Sequence, residues 1–310
     1  MRTWRGIPLG LSGVLGAALA HGYFWRADWC VALTVWPAWV WVIPGLVLAG
    51  LGCSRATRII SALLGGAWLV FLGMFAEDPK SLLRGWFSAP TRGELRIVSL
   101  NCAGNAQAAA EAMALDPDVV LLQESPSEGR LQELSGERDT VVWGLDASII
   151  ARGGLQAVAP RRQRGEFHFV QARWRSPGGR EVDLVSLRLA PNVLRTDLWR
   201  PACWREHAAD RRQRRDWLRA VTAQLAAGPC IMGGDFNAPA GDAIYRELTP
   251  ALYDVFAEAG RGWGNTLLND LPVIRIDQIW VTTHFRAVNV RACRTQHSDH
   301  RLEVCDLTWR

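Results

Sequence analysis

Polar side chains able to bind a cation or to move a proton follow several apolar runs between residues 93 and 310. A single Asp or Asn after a strand is usually a turn-former or a helix cap. Five such strand ends in one region favour convergence at one rim of a domain, where rigid strands position functional groups. The residues are Asn101 in "IVSLN", Glu124 in "VVLLQE", Asp235 and Asn237 in "IMGGDFN", Asp277 in "VIRIDQIW", and Asp299 and His300 in "SDH".

This set of side chains suits the hydrolysis of a phosphate ester with the help of a hard divalent cation. Carboxylate and carboxamide oxygens are ligands for Mg²⁺ or Mn²⁺, and Mg²⁺ is usually held by one or two carboxylates plus water. Such a cation stabilises the charge that develops on a phosphate oxygen. The remaining carboxylate and histidine would activate and orient a water molecule.

The order of the motifs "SLN", "LLQE", "GGDFN", "RIDQIW" and "SDH" resembles that of the endonuclease/exonuclease/phosphatase superfamily, which includes deoxyribonuclease I. "GDFN" and "SDH" are the most specific parts, and the resemblance covers residues 93–310. It implies an α/β fold, a four-layer α/β/β/α sandwich with its site at one rim of two sheets. With three apolar segments before this region, the chain is similar to bacterial membrane-tethered members.

For the metal site, the resemblance implies that Glu124 is the principal ligand of Mg²⁺ or Mn²⁺. Asn101 would lie beside Glu124, and Asp299 would lie in or near the metal shell. For catalysis, the resemblance implies that Asp235 positions or deprotonates the attacking water and that Asn237 donates a hydrogen bond to the phosphate.

The "SDH" histidine and "RID" aspartate form the last implied pair. His300 would contact the scissile phosphate or act as an acid or base, and Asp277 would orient it by accepting its second N–H.

Arg188 departs from the pattern of this superfamily. Many relatives have a histidine at the end of the strand represented here by "DLVSLRLAPN". Arginine does not carry protons at ordinary pH, but it is a strong bidentate donor to phosphate. We therefore interpret Arg188 as a phosphate donor or, alternatively, as an exposed strand-end residue. Asn192 is either a further phosphate contact or a turn residue.

Strand-like and helical segments alternate after residue 93, which indicates an α/β domain. Several strands follow one another without a helix between them, and this favours two sheets packed face to face. The helical segment "REHAADRRQRRDWLRAVTAQLAAG" contains the basic run Arg211–Arg215. This run is able to bind nucleic acid phosphates, but its period fits the solvated face of an amphipathic helix better.

Three segments before this domain have almost no charge and are long enough to cross a bilayer. We predict transmembrane helices over residues 7–25, 29–51 and 59–75, with Pro37 and Pro44 tolerated in the second. The predicted domains are a transmembrane region (1–76), a linker that rests on the membrane surface in one interpretation (77–92), and the endonuclease/exonuclease/phosphatase domain (93–310).

Arginines near the helix ends predict the orientation of these helices. Arg2 and Arg5 precede the first helix, and Arg55 and Arg58 precede the third. This pattern predicts that the N-terminus lies on the cytoplasmic side of the cytoplasmic membrane. Three crossings then place residues 93–310 outside it. In the alternative interpretation the first helix is a cleaved signal peptide, which also exports the domain.

The seven cysteines show no metal-binding spacing, so they are expected to be buried thiols, with a Cys203–Cys293 disulfide as an alternative. The expected function is a membrane-anchored, metal-dependent phosphodiesterase acting on nucleic acid or phospholipid head groups by in-line water attack. The alternative is a catalytically weak or inactive tethered binding module on the same fold. Nothing in the sequence indicates a protein partner.

Overall fold

The computed structural model describes residues 4, 6–87, 89–158, 168–176, 178–191 and 195–310. The chain divides into two compact units. Residues 1–80, 193–212 and 241–243 form the first unit, which contains the apolar helices. Residues 81–192, 213–240 and 244–310 form the second unit, which contains both sheets.

Four helices in the first unit come from the apolar N-terminal segments. Helices α1 and α4 are long and apolar enough to cross a membrane. The segment Asp28–Thr34 and helix α3 pass the same test only together, as a pair bent by 73°. The helices are α1 (Gly6–Trp25), α2 (Val31–Thr34), α3 (Ala38–Leu51) and α4 (Arg58–Phe75).

The bend corrects the prediction of one continuous second helix over residues 29–51. Pro37 precedes α3 in an extended conformation, with ψ of 142°. Proline lacks an N–H and its ring clashes with the preceding helical turn, so α2 ends before it. Pro44 lies inside α3 as expected. The described chain therefore has two helices that are long and apolar enough to cross a membrane, or three such segments if the bent pair is one span.

In the described residues, the second unit contains three further helices and twelve strands. Helices α5 (Asp78–Phe87) and α8 (Pro201–Thr222) begin in residues of the first unit and end in residues of the second. The other helices are α6 (Ala106–Met113), α7 (Glu128–Leu134) and α9 (Val255–Ala259). The strands are β1 (Leu95–Asn101), β2 (Val119–Gln123), β3 (Asp139–Trp143), β4 (Ala147–Arg152), β5 (Gly154–Val158), β6 (His168–Arg175), β7 (Glu181–Arg188), β8 (Cys230–Asp235), β9 (Leu252–Asp254), β10 (Asp277–Thr282), β11 (Phe285–Cys293) and β12 (Leu302–Trp309).

The strands form two six-stranded sheets that pack face to face. Sheet I has the order β11-β12-β1-β2-β4-β3, and sheet II has the order β5-β6-β7-β8-β10-β9. One apolar core lies between the sheets, where Ile97 and Leu121 meet Ile231 and Ile279. Separate cores pack α6 and α7 against sheet I and the C-terminal part of α8 against sheet II. This confirms the predicted four-layer α/β/β/α sandwich.

Each sheet contains one parallel strand pair whose carboxyl ends meet at the same edge. In sheet I, Asn101 of β1 pairs with Gln123 of β2. In sheet II, Arg188 of β7 pairs with Asp235 of β8, and Asp277 of β10 pairs with Asp235 from the other side. The central strands are buried on both faces, which explains why they read as continuous apolar runs. The registers place the predicted polar residues at two sheet edges.

The glycines of "GGDFN" serve the packing of β8. A Cβ on Gly233 would lie 2.6 Å from Leu121 Cδ1 across the sandwich, and one on Gly234 would lie 1.9 Å from the Leu187 carbonyl oxygen. Larger residues would push the two sheets or the β7–β8 pair apart. Gly233 and Gly234 thus allow Asp235 to reach the rim on a closely packed strand.

Candidate active site

The edge of sheet I presents an amide and a carboxylate in direct contact. Asn101 is the last residue of β1, and its Nδ2 donates to Glu124 Oε1 at 3.0 Å. Glu124 follows β2 with φ of 42°, in the left-handed region. A residue other than glycine in this region carries a strain of about 1–2 kcal/mol, so the fold maintains an unfavourable backbone to aim this carboxylate.

The edge of sheet II presents a second amide and carboxylate. Asn237, with φ of 47°, donates its backbone N–H to Asp235 Oδ1 at 2.9 Å. Its Nδ2 donates to the Leu189 carbonyl oxygen at 2.7 Å and to Asp235 Oδ2 at 3.2 Å. This turn closes β8 and fixes the Asp235 carboxylate. Asn237 Nδ2 is thereby engaged with protein oxygens.

Asn101 joins the two edges. The same Nδ2 that donates to Glu124 also donates to Asp235 Oδ2 at 3.1 Å, while Asn101 Oδ1 accepts from the backbone N–H of Ala103 at 3.0 Å. One buried amide therefore separates two carboxylates that belong to different sheets. This contact brings together three of the residues that the sequence motifs predict.

Asp235 belongs to a cluster of buried titratable side chains. His300 Nδ1 is 2.8 Å from Asp277 Oδ2, and both side chains are almost fully enclosed. One potential ligand atom from each of Asp235, Asp277 and His300 lies within 4.8 Å of the others. We call these three residues the buried pocket. The contact holds the Asp277 carboxylate against Nδ1 of the His300 ring.

Enclosure and charge shift the pKa values of the buried pocket. Desolvation is the largest cause that raises the pKa of Asp235, to about 7, and the nearby Asp277 carboxylate adds to it. Burial alone would lower the pKa of His300, but the charge and hydrogen bond of Asp277, with Asp235 and Asp299, outweigh burial and raise it to about 10. A carboxyl group whose pKa lies near neutral pH can act as a base, and a protonated imidazole beside it can act as an acid.

Arg188 lies at the mouth of the site between two carboxylates. Its Nη2 is 2.9 Å from Glu124 Oε1, and its Nη1 is 3.2 Å from Asp146 Oδ2. Burial opposes the charged form of Arg188, but these acids and Asp235 raise its pKa. We call Glu124, Arg188 and Asp146 the open rim, because their side chains retain 20–35% exposure. The ion pairs exclude the interpretation of Arg188 as a free surface residue.

Asp299 is the one predicted site residue whose side chain makes no contact with the others among the hydrogen bonds and ion pairs of the described chain. It is exposed, and its backbone oxygen accepts from Asn269 N–H at 2.7 Å. Asp299 lines a groove of 790 Å³ together with Asn269 and Arg294. Its carboxylate is therefore open to solvent next to His300.

The oxygen donors at the open rim and at Asp299 have free lone pairs that suit a hard cation. Asn101 Nδ2 and Arg188 Nη2 both contact Glu124 Oε1, whereas Glu124 Oε2 receives no hydrogen bond from the described residues. The Asp299 carboxylate is likewise open. Oxygen ligands with free lone pairs, completed by water, suit Mg²⁺ or Mn²⁺. In the buried pocket, Asp277 Oδ1 is buried and has no hydrogen-bond partner among the described residues. The chemistry of the site fits a divalent cation.

Several residues that the sequence analysis gave no role hold this site in place. Ser298 Oγ donates to the Asn101 carbonyl oxygen at 2.7 Å and accepts from His300 N–H at 3.0 Å. Thr266 Oγ1 accepts from the backbone N–H of Asp277 at 3.1 Å. Asp146 anchors Arg188. Ser298 was visible in "SDH", whereas nothing local to Thr266 or Asp146 in the sequence signals these long-range contacts.

The basic run of α8 corrects another expectation. Arg211 and Arg214 are buried, not solvated. Arg211 donates to Asp242 Oδ2 at 2.8 Å and to Thr34 Oγ1 at 2.9 Å, while Arg214 donates to the Asn237 carbonyl oxygen at 3.3 Å. Buried arginines persist where carboxylates and carbonyls satisfy their donors. These two side chains are therefore structural and not a nucleic acid surface.

All seven cysteines lie in the described part of the chain and are free thiols, so the alternative of a Cys203–Cys293 disulfide is wrong. Asn192, considered as a phosphate contact, lies outside the described residues.

Solved structures with a similar fold come from bacteria and animals. An endonuclease/exonuclease/phosphatase from Beutenbergia cavernae is 18% identical, with a TM-score of 0.52, over 70% of this chain and 72% of that chain. The human Nocturnin catalytic domain with bound sulfate is 16% identical, with a TM-score of 0.52, over 72% and 97%. D. rerio TDP2 complexed with a single-strand DNA product is 17% identical, with a TM-score of 0.50, over 69% and 98%.

At these identities the likeness establishes the fold. No curated protein sequence matches the chain significantly. The family model described as "Endonuclease/Exonuclease/phosphatase family" matches residues 98–300. Because this match covers more than half of the chain, the chain belongs to the Endonuclease/Exonuclease/phosphatase family, whose members are metal-dependent phosphoric ester hydrolases.

Proposed function

We propose that this chain is a membrane-anchored, metal-dependent phosphodiesterase that cleaves its substrate by in-line attack of water. The observation that carries the proposal is the hydrogen-bonded connection from Glu124 through Asn101 to Asp235, beside the Asp277–His300 pair. It places a carboxylate for a cation and two groups for proton transfer around one point. A decayed site would not be expected to retain these contacts.

Each side chain has a role in this proposal. Asp235 takes a proton from the attacking water, because its raised pKa allows it to hold that proton near neutral pH. His300, kept protonated by Asp277, neutralises a phosphate oxygen or protonates the leaving group. Asn237 and Asn101 hold the Asp235 carboxylate in a fixed orientation.

Glu124 and Asp299 would hold the cation, with Asn101 beside them. Mg²⁺ or Mn²⁺ bound there would supply stabilisation of the negative charge that develops on the ester oxygens. Arg188 pairs with Glu124, and its remaining guanidinium N–H groups would donate to the phosphate. Arg188 thus acts as a fixed cation where many relatives have a histidine.

The substrate is proposed as a phosphodiester in nucleic acid or in a phospholipid head group. The fold relative from D. rerio that carries a single-strand DNA product supports the first class. The apolar helices α1 and α4 support the second, because they would hold the site near a bilayer. Hydrolysis of bis-p-nitrophenyl phosphate, plasmid DNA and phospholipid vesicles in parallel distinguishes them.

We further propose that the chain resides in the cytoplasmic membrane, with residues 93–310 outside it if the bent pair is a full span. With two spans the domain would lie on the same side as the N-terminus. A reporter fused after Arg310 measures this directly. Activity of the reporter only in the cytoplasm would contradict export.

The second candidate function is a tethered binding module without useful turnover. The ion pair between Arg188 and Glu124 favours it, because a guanidinium at 2.9 Å competes with a cation for the same carboxylate. Metal-dependent turnover by the full chain, lost in Glu124→Gln, supports the enzyme. A folded chain with no turnover on any of the three substrates supports the binding module.

A further inference from the structure

One face of helix α5 carries three exposed apolar side chains. Leu83, Trp86 and Phe87 have exposed fractions of 52%, 78% and 82%. Their spacing of three and four residues places them next to one another on the helix surface. An apolar face of this kind normally turns toward a core, but here it turns toward solvent.

The opposite face of α5 is fixed to the sandwich. Arg84 Nε donates to the Gly260 carbonyl oxygen at 2.9 Å, and Arg84 Nη1 donates to that of Ala257 at 3.0 Å. These carbonyls lie at the end of α9, where helical acceptors lack partners within the helix. Arg84 therefore ties α5 to α9.

Close backbone contact reinforces this docking. The Ser81 carbonyl oxygen accepts from Gly262 N–H at 2.9 Å, and a Cβ added to Gly85 would lie 3.1 Å from Gly262 N. Ser81, Arg84 and Gly85 are also three and four residues apart, and they lie on the face of α5 opposite the apolar face. The outward orientation of Leu83, Trp86 and Phe87 is thus determined by the docked face.

The chain connection places the start of α5 close to the end of α4. Helix α4, which is long and apolar enough to cross a membrane, ends at Phe75, and α5 begins at Asp78. A trans peptide chain extends by about 3.5 Å per residue, so α5 must begin within roughly 10 Å of the end of α4. That distance falls within the head-group layer of a bilayer. Tryptophan at this depth is typical of membrane interfaces.

We propose that α5 lies in the head-group layer, with Leu83, Trp86 and Phe87 at the boundary with the acyl chains. This inference rests on the membrane anchoring of the proposed function. Because Arg84 ties α5 to α9, contact of this apolar face with lipid would also be a contact of the catalytic sandwich. The partner of this surface is the bilayer itself.

Site-specific photocrosslinking of the full chain in nanodiscs of phosphatidylcholine and phosphatidylglycerol tests the proposal. The photoreactive residue p-benzoylphenylalanine replaces Trp86 in one sample and Gln132, an exposed residue of α7, in the matched control. Position 86 is exposed, so an aromatic replacement there leaves the core intact. Intact mass spectrometry then measures lipid adducts after illumination.

We expect a lipid adduct at position 86 and its absence at position 132. No adduct at position 86, or equal adducts at both positions, in a chain that stays with the nanodiscs overturns the inference and leaves the anchoring intact. A chain that leaves the nanodiscs contradicts the anchoring and the inference together. Hydrolysis of a soluble ester, measured in the same samples, reports on the active site independently.

Discussion

The buried pocket and the open rim hold their charges in different surroundings. In the buried pocket, the side chains of Asp277 and His300 are 0% and 7% exposed, and the pKa values of Asp235 and His300 are raised. At the open rim, Glu124 is 35% exposed and meets Arg188 directly. Enclosure tunes proton affinity, whereas exposure keeps a carboxylate accessible to a cation. In the proposed function, this difference favours proton transfer in the buried pocket and cation binding by Glu124 of the open rim.

Loss of the imidazole is expected to have the largest effect. His300→Ala should lower kcat by about 10² to 10⁴-fold, because it removes the acid of the buried pocket. Steady-state hydrolysis of bis-p-nitrophenyl phosphate measures the change. His297→Ala is the matched control, since His297 pairs with Glu111 and lies three residues away. Equal losses in both variants would contradict a specific role for His300.

Glu124→Gln tests the open rim. This change keeps the shape of the side chain and removes its charge, so the half-saturating Mg²⁺ concentration should rise while kcat falls by about 10²-fold. A metal titration of the initial rate gives both quantities. Glu111→Gln offers a control on α6. An unchanged metal requirement in Glu124→Gln would remove Glu124 from the metal site.

Arg188 is expected to affect metal binding and turnover in opposite directions. Arg188→Gln should lower the half-saturating Mg²⁺ concentration, because a positive charge no longer competes for Glu124. It should also lower kcat by roughly tenfold, or about 1.4 kcal/mol, through loss of a phosphate donor.

Arg188→His sharpens the same test. Higher kcat with histidine would mean that the arginine is a compromise, and lower kcat would mean that it is a fitted phosphate clamp. If kcat and the half-saturating Mg²⁺ concentration were both unchanged in either variant, a role for Arg188 at the site would be contradicted.

The protonation state of His300 provides the subtlest test of the buried pocket. The negative charge of Asp277 stabilises the protonated ring of His300. The NMR signal of the His300 imidazolium should therefore persist until the pH rises through about 10. Asp277→Asn removes this charge and leaves burial to favour the neutral ring, so the transition should shift to lower pH. Labelled histidine spectra, assigned with His300→Gln, measure both. An unshifted transition in Asp277→Asn would contradict the pairing.

The sequence predicted the layers of the fold because local patterns encode them. Continuous apolar runs mark strands covered on both faces, as in β1, β2 and β8. Carboxyl ends of adjacent parallel strands share an edge, so Asn101 and Glu124 could be expected together. The motif order then extended this expectation to Asp235, Asp277 and His300.

Long-range contacts limited the sequence analysis. Asp146 meets Arg188 from a turn 42 residues away, and no local pattern announces that pair. The burial of Arg211 and Arg214 depends on acceptors supplied by distant segments, so helical period alone suggested a solvated face. The break between α2 and α3 follows from Pro37 itself, which was predicted to be tolerated within one membrane helix. The apolar composition of residues 29–51 predicted a segment long enough to cross a membrane, but it did not reveal that the helix is interrupted.

The most direct test of the account compares Asp235→Asn with Glu124→Gln in the full chain reconstituted in nanodiscs. Initial rates on bis-p-nitrophenyl phosphate, measured against Mg²⁺ concentration, separate kcat from the metal requirement. The account predicts that Asp235→Asn lowers kcat by about 10² to 10⁴-fold with little change in the half-saturating Mg²⁺ concentration. Glu124→Gln, in contrast, should raise the half-saturating Mg²⁺ concentration. Full turnover in Asp235→Asn, or the same change in metal requirement in both variants, would contradict the division between pocket and rim.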